Sequence, residues 1–235
     1  DGLRSRGYPS AEVAKAARSL AARFHALGLR KGDKIVFWSE NRPEWIVAFW
    51  ACLLRGIIVV PIDYRASPDF LARVVAIVSA RLIFIGQDVV PITPAPAIPV
   101  WKLHELDWKT NAPAPPDVAI VRDDIAEIIF TSGATAEPKG VVITHRNVLA
   151  NIVPVEHEIL KYRKWGKPFF PLRFLNLLPL SHMFGQAMAT FIPPMLPGTV
   201  IFMRGYNPAE IVVQIKRRRV PCLVRVATFP VRRKA

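Results

Sequence analysis

Cysteine is nearly absent from this chain, which carries only Cys52 and Cys222 among its 235 residues. The two stand far apart and each lies in an apolar run, so we expect buried free thiols rather than a disulfide or a metal site. Charged residues make up only 21% of the chain against 51% apolar residues. That balance excludes long disorder and favours one sizeable domain or two small lobes with a shared core.

Unbroken apolar runs long enough to cross a membrane are missing as well. The stretch 45–62 contains Arg55 and Gly56, and the stretch 174–202 is broken by His182 and several prolines. Both therefore predict buried helices and strands. No secretory leader is recognisable ahead of the first amphipathic segment. We expect a cytoplasmic location, with peripheral contact to an anionic membrane left open.

Acidic residues are few: the chain has 18 Asp and Glu and 32 Lys and Arg, which gives a net charge of +14. The basic residues cluster at 161–167, 216–219 and 232–234. We interpret these clusters as solvated helix faces and a frayed tail. A patch that binds anionic lipid or nucleic acid is the alternative, and a nucleic-acid partner is not expected.

Helical and strand patterns alternate over the first part of the chain. An amphipathic helix is predicted over 10–27, with Ser10 as its cap, Gly28 at its end and one apolar stripe (Val13, Ala17, Leu20, Phe24 and Leu27). Short β-rich runs at 35–38, 57–62 and 81–85 alternate with helices at 43–54 and 68–80. This alternation predicts an α/β fold with layered sheets.

Prolines divide the chain. A first α/β block covers 1–89, a proline-rich connection covers 90–122, and a second block covers 123–235 and includes a helix at 208–218. The second block opens with a strand at 124–131, and another strand follows at 141–144.

The loop between those strands, 131–140, offers many hydrogen-bond donors. Backbone amides, the hydroxyls of Thr131, Ser132 and Thr135, and the Lys139 ammonium suit a polyphosphate. A hairpin that merely reverses the chain is the structural alternative. A Walker-type loop is excluded, because Pro138 precedes Lys139 and Gly140 follows it.

Two motifs carry a resemblance to a known family. The string 129–141, with His145-Arg146-Asn147 after it, resembles the phosphate loop of the adenylate-forming, AMP-binding superfamily, and among its members the long-chain fatty acyl-CoA synthetases. The string 178–185, Leu-Pro-Leu-Ser-His-Met-Phe-Gly, is similar to the family's motif beside the acyl substrate. Segments 32–34, 41–45 and 56–61 also look like the family's N-terminal portion.

The resemblance implies ATP-dependent activation of a carboxylic acid through an acyl-adenylate to a coenzyme A thioester. It implies Lys139 and His182 as catalytic residues, although a histidine among apolar residues is otherwise more often a core residue. Thr131 would also approach Mg²⁺, and the apolar run 184–191 favours a fatty acid. The implied nucleotide-binding residues are Thr131, Ser132, Gly133, Ala134, Thr135, Ala136, Glu137, Pro138, Lys139 and Gly140.

The chain departs from the family pattern in two ways. Ala134 replaces a hydroxyl residue and Ala136 replaces a glycine, so one donor is lost and a positive φ at Ala136 would cost about 1 kcal/mol. The family's later adenine, ribose and hinge segments are not found. We therefore expect the chain to be inactive without the missing C-terminal part, with a non-catalytic nucleotide-binding or interaction module as the alternative.

Overall fold

The computed structural model describes residues 6–108, 112–131, 137–166, 170–203, 205 and 207–224. Contacts group the chain into two compact units, Asp1–Pro154 and Val155–Ala235, which we call the first and second units. The three-part division predicted at 89 and 122 stays a prediction. The mixed α/β fold class is confirmed in the arrangement that follows.

The first unit is built on a sheet whose described strands follow the order β4-β3-β1-β2-β5-β6. Neighbours are parallel except for the antiparallel pair β5 and β6. The strand bounds are Lys34–Ser39 for β1, Ile58–Asp63 for β2, Leu82–Ile85 for β3, Val100–Lys102 for β4, Ile125–Thr131 for β5 and Lys139–Thr144 for β6. The predicted phosphate-loop segment therefore shares its sheet with the strands of the first block.

Helices α1 (Ser10–Ala26), α2 (Pro43–Leu54) and α3 (Pro68–Val78) cover the two faces of this sheet. On one face, Phe37 of β1 meets Trp45 of α2 edge to face, with ring centroids 5.3 Å apart. On the other face, Trp38 packs in a cluster with α3. Successive side chains of a strand point to opposite faces, so β1 supports both layers.

The structure corrects two details of the first helix. Ser10 is not the cap: it is the first helical residue, Pro9 holds the cap position, and no described side chain caps the helix start. The carbonyl oxygen of Pro9 accepts two of the first helical amides instead. Leu27 is exposed rather than part of the apolar stripe, because the helix has already ended at that point. Gly28 follows with φ 75°, as a helix-ending glycine should.

The proline-rich connection is tied to the first block. It contributes β4 and a 3₁₀ turn at Leu103–Glu105, and β4 pairs with β3. Two basic side chains bind its backbone carbonyls further on: Lys31 Nζ donates to Ala119 O at 2.8 Å, and Arg55 Nη1 donates to Pro116 O at 2.5 Å. Part of the positive charge therefore satisfies main-chain acceptors that a proline-rich segment leaves unpaired.

The second unit contains the parallel strands β7 (Leu172–Asn176), β8 (Gly198–Ile201) and β9 (Cys222–Val224), in the order β8-β7-β9. Helix α4 (His145–Gly166) starts in the first unit and ends in the second. The remaining helices are α5 (Met183–Gln186), a π-helical turn (Ala187–Phe191), α6 (Ile192–Met195) and α7 (Pro208–Arg218). A small core forms around Phe174, Leu178 and Val224.

Both thiols are free, as predicted, but only Cys52 is fully buried and Cys222 is half-buried. Within the described ranges, no helix is long and apolar enough to span a bilayer.

Candidate functional site

The hairpin β5–β6 carries the predicted loop. In the antiparallel register Thr131 stands opposite Lys139, so the loop leaves and re-enters the sheet at this pair. The Lys139 side chain is exposed, as is Glu137, while Pro138 is buried. Ser132, Gly133, Ala134, Thr135 and Ala136, all predicted to bind nucleotide, lie outside the described residues. Lys139 is thus held at a strand end, in an exposed position beside the predicted loop.

The packing around Gly140 accounts for the glycine at this position of the motif. It stands opposite Phe130, and a Cβ added to it would lie 2.7 Å from Ile128 Cγ2 and 3.0 Å from Phe130 Cζ. The first distance is shorter than real Cβ contacts and the second is tighter than most of them, so a larger residue would force Ile128 or Phe130 to shift. Gly140 therefore suits the packing of β6 against β5 beside Lys139.

The residues after β6 form a reciprocal cap on helix α4. Thr144 Oγ1 accepts from the Asn147 amide at 3.2 Å, and Asn147 Oδ1 accepts from the Thr144 amide at 2.9 Å and from the Thr144 hydroxyl at 2.8 Å. This arrangement is a capping box with Asn in the third helical position. Asn147, which the sequence analysis named only as part of the matching string, therefore caps helix α4.

Asp124, just before β5, gathers contacts from three segments. Lys31 Nζ lies 2.5 Å from Asp124 Oδ2, the Val121 amide donates to the same oxygen at 2.7 Å, and the His145 amide donates to the Asp124 carbonyl at 3.0 Å. The hydrogen bond from Lys31, followed by that from Val121, lowers the pKa of Asp124. Burial lowers the pKa of His145, whose Nε2 has no hydrogen-bond partner among the residues that the structure describes. An ion pair and two hydrogen bonds from backbone amides therefore hold the base of the hairpin.

The second motif forms a tight turn after β7. Asn176 Nδ2 donates to Leu178 O and its Oδ1 accepts from the Leu178 amide, both at 3.2 Å. Gly185 packs so close to the turn that a Cβ there would lie 2.2 Å from Pro179 O. Gln186 Nε2 donates to Leu180 O at 2.9 Å. These contacts define the backbone path of residues 176–186.

His182 stands at the start of α5, at the carboxyl end of β7. Its side chain is exposed, and its carbonyl accepts the Gln186 amide at 3.0 Å. The alternative of a buried core histidine does not apply, since the ring faces solvent. Lys139 belongs to the first unit and His182 to the second. The catalytic roles predicted for these two residues stay predictions.

The predicted metal contact at Thr131 also stays a prediction. Among the residues that the structure describes, no group of three or more His, Cys, Asp or Glu side chains could hold a metal ion. A loop of hydroxyls, amides and one ammonium suits the phosphates of a nucleotide, which would bring its own Mg²⁺ as part of the substrate.

Sequence comparison identifies relatives that share this framework. The family model described as AMP-binding enzyme matches residues 8–230. Feruloyl-CoA synthase of Amycolatopsis sp is 26% identical over 227 residues, covering 93% of this chain and 43% of that protein. The peroxisomal long chain acyl-CoA synthetase 7 of Arabidopsis thaliana is 29% identical over 194 residues, covering 70% of this chain and 26% of that protein. The chain thus spans less than half the length of these curated relatives.

The fold has solved counterparts. The fatty acyl-adenylate ligase of L. pneumophila, solved with acyl adenylate and pyrophosphate, superposes with a TM-score of 0.77 at 23% identity, covering 95% of this chain and 40% of that chain. This likeness concerns the fold alone. Because the family model covers nearly all of the sequence, including both motifs, the chain belongs to the AMP-binding enzyme family.

Proposed function

We propose that this chain supplies the phosphate-binding part of an AMP-forming acid–CoA ligase. The observation that carries the proposal is the hairpin β5–β6, in which Lys139 is exposed at a strand end directly opposite Thr131. A donor-rich loop held between two strands in this way suits a triphosphate. Membership of the AMP-binding enzyme family supports the same activity.

In the proposed reaction, a carboxylate oxygen of the acid attacks the α-phosphorus of ATP, the bond to pyrophosphate breaks, and an acyl-adenylate forms. The thiol of coenzyme A then attacks the acyl carbon and AMP leaves. Negative charge on the phosphates needs fixed donors, and we assign this role to Lys139 and to the hydroxyls of Thr131, Ser132 and Thr135. Mg²⁺ arrives with ATP and shares that charge. His182 would lie beside the acid's carboxylate.

A long-chain fatty acid is the proposed substrate. The apolar run that follows His182, including Phe184 and Phe191, supports an apolar acid. Relatives bear names for different acids, among them feruloyl and long-chain acyl groups. The acid must therefore be identified by experiment.

Calorimetry with MgATP tests the phosphate loop directly. Lys139→Ala removes one charge-assisted contact and should weaken binding about ten- to hundredfold. Lys15→Ala is the matched control, since Lys15 is an exposed lysine on α1 of the same unit. Equal affinities in all three proteins, or no MgATP binding at all, would defeat the proposal.

The isolated chain is expected to be inactive, so turnover is tested after the chain is joined to the C-terminal part of an AMP-forming CoA ligase, by trapping the acyl-adenylate with hydroxylamine in the presence of MgATP and either palmitate or ferulate. Hydroxamate from palmitate supports the fatty acid, and hydroxamate from ferulate alone would reject it. Ala134 and Ala136, which replace a hydroxyl residue and a glycine of the family loop, favour a second candidate, a module that binds nucleotide without turnover. Retained MgATP binding with no hydroxamate from either acid selects that candidate.

A further inference from the structure

The parallel strands of the first unit bring several charged residues to one edge of the sheet. Strands β1, β2, β3 and β5 run in the same direction, so the segments that follow them all leave at the carboxyl edge. The predicted phosphate loop begins there at Thr131, and Lys139 of the antiparallel β6 stands opposite. In open α/β sheets, ligands bind at this edge. The charged residues that follow β1, β2 and β3 are therefore candidates for a role beside the loop.

Strand β2 is the neighbour of β5 on the side away from β6. Val59 of β2 pairs with Glu127 of β5 in parallel register. Four residues further along each strand, β2 ends at Asp63 and β5 ends at Thr131, so the two strands stop at the same level. Neighbouring strands lie about 4.8 Å apart. The turn that follows Asp63 therefore lies beside Thr131, where the phosphate loop begins.

Arg65 is held in that turn by Asp63. Asp63 Oδ1 accepts hydrogen bonds from the Arg65 amide and from Arg65 Nε, both at 2.9 Å, and Oδ2 accepts one from Arg65 Nη2 at 2.7 Å. Two parallel bonds of this kind fix the plane of a guanidinium. Arg65 Cζ also lies 5.7 Å from the centre of the Tyr64 ring, within the range of a cation–π contact. The structure therefore holds the Arg65 cation in a defined orientation.

The backbone on both sides of Arg65 is fixed as well. The Ala66 amide donates to Asp63 O at 2.9 Å and closes the turn. Ser67 Oγ then accepts the Phe70 amide at 3.2 Å and caps the start of α3. A residue between a strand end and a capped helix loses little freedom when a ligand binds, which lowers the entropic cost of binding.

Arg42, which follows β1, is engaged in a different way. Its Nη1 donates to Glu40 Oε1 at 2.6 Å and its Nε donates to Glu44 Oε2 at 2.9 Å, so two carboxylates offset one guanidinium. The Gln87 amide, which follows β3, donates to Glu40 Oε2 at 3.0 Å. The segments after β1 and β3 are thus bound to each other, and β2 separates them from β5. Arg65 is the better placed of the two arginines.

We propose that Arg65, oriented by Asp63, binds the β- and γ-phosphates of ATP from the β2 side of the loop, with Lys139 on the β6 side. These two phosphates carry most of the charge of the triphosphate and leave as pyrophosphate. A guanidinium presents several donors in one plane and matches pairs of phosphate oxygens. The inference rests on the proposed nucleotide-binding function and adds to it a residue that lies outside the motif at 129–141.

Calorimetry with MgATP and with magnesium pyrophosphate tests the inference. Arg65→Ala should weaken the binding of both about tenfold, because a charge-assisted contact to phosphate is lost. Arg65→Lys should recover only part of the affinity, since a point charge cannot form two parallel bonds. Arg146→Ala is the matched control: Arg146 forms the same pair of bonds with Asp123, but at the opposite edge of the sheet, and both affinities should stay unchanged.

A double variant separates a contact made by Arg65 from repulsion by Asp63. Arg65→Ala uncovers the Asp63 carboxylate, whose negative charge would itself weaken phosphate binding. Asp63→Asn with Arg65→Ala removes both charges and leaves the net charge unchanged. If Arg65 binds the phosphates, the double variant should still bind MgATP at least about fivefold more weakly than the unchanged protein. Recovery of full affinity would overturn the inference.

The variants also separate this inference from the proposed function. If Lys139→Ala weakens MgATP binding and Arg65→Ala does not, the phosphate-binding function stands and the role of Arg65 is rejected. If neither variant changes binding, or if no MgATP binds, both are rejected. A loss of MgATP affinity with unchanged pyrophosphate affinity would place Arg65 away from the β- and γ-phosphates. Equal losses in Arg65→Ala and Arg146→Ala would show a general effect on the sheet and would also reject the role.

Discussion

Arg146 binds Asp123 through two parallel hydrogen bonds, with Nε 2.7 Å from Oδ1 and Nη2 2.8 Å from Oδ2. Asp123 stands just before β5 and Arg146 just after β6, so the pair closes the hairpin at the end opposite the phosphate loop. The Arg146 amide also donates to Arg122 O at 2.7 Å. Three consecutive motif residues, 145–147, thus anchor the hairpin.

Arg146→Lys should weaken this closure. Lysine keeps the charge but cannot form the fork of two parallel bonds, so the urea midpoint should fall slightly. The effect should be small because both side chains are exposed and screened by solvent. Arg18→Lys, at an exposed site on α1, serves as the control. Identical midpoints for the two variants would show that the bidentate geometry contributes nothing.

Gly140→Ala should destabilise the first unit by about 1–3 kcal/mol, because the new methyl group meets Ile128 and Phe130. Urea denaturation measures the change. Gly7→Ala is the control, since a Cβ at Gly7 would meet no described atom within 4 Å.

The clash at Gly140 can be assigned by a double-mutant cycle with Ile128→Ala. Removing Ile128 Cγ2 should relieve part of the strain, giving a coupling of about 1 kcal/mol between the two sites. Strict additivity would mean that the glycine is needed for another reason.

The elements of the first block and the contact at Gly140 show which features could be predicted from the sequence and which could not. The strands and helices of the first block could be predicted because β-branched runs, prolines at helix starts and glycines at helix ends are local signals. The close approach at Gly140 depends on the register of β5 against β6, which no local pattern states. The loop's position between two strands was predictable, but the cross-strand neighbours were not.

Helix α4 was not predicted from periodicity. Pro154 lies inside the helix, and the apolar and basic residues around Tyr162 do not form one buried stripe. Strand β6 departs from simple alternation too, since the neighbours Val141 and Val142 are both exposed on this edge strand. Amphipathic patterns report burial, so elements that bury little give weak signals.

His145 should make stability depend on pH. Burial lowers its folded pKa below the ordinary value of 6.5, so the unfolded chain binds a proton more readily than the folded one. Stability is then fully present above pH 6.5 and is lost as the pH falls through the folded pKa. His145→Gln should flatten this dependence in urea titrations on either side of 6.5. His157→Gln, an exposed site on α4, should leave it in place, and equal flattening by both would argue against a specific effect.

The two thiols should differ in reactivity towards a disulfide reagent such as DTNB. Burial raises the pKa of Cys52 well above its ordinary value and also raises that of half-buried Cys222, so both carry little thiolate at neutral pH. Cys222 should react slowly in the native protein and Cys52 only after denaturant is added. Cys222→Ser should remove the native phase alone. A native phase that persists in Cys222→Ser would show that the α2 region opens readily.

Gly185→Ala should disturb the turn that carries His182. The added Cβ would lie 2.2 Å from the Pro179 carbonyl oxygen, and a backbone atom cannot rotate away as a side chain can. The second unit should therefore lose about 1–3 kcal/mol of stability, measured by urea denaturation, and hydroxamate formation should fall with it.

His182→Ala provides the contrast: its ring is exposed, so stability should change by no more than about 0.5 kcal/mol while hydroxamate formation is lost. If Gly185→Ala leaves both quantities intact, the close contact with Pro179 does not hold the turn. If His182→Ala leaves hydroxamate formation intact, His182 is not a catalytic residue, and the role of the motif is limited to the backbone path of residues 176–186.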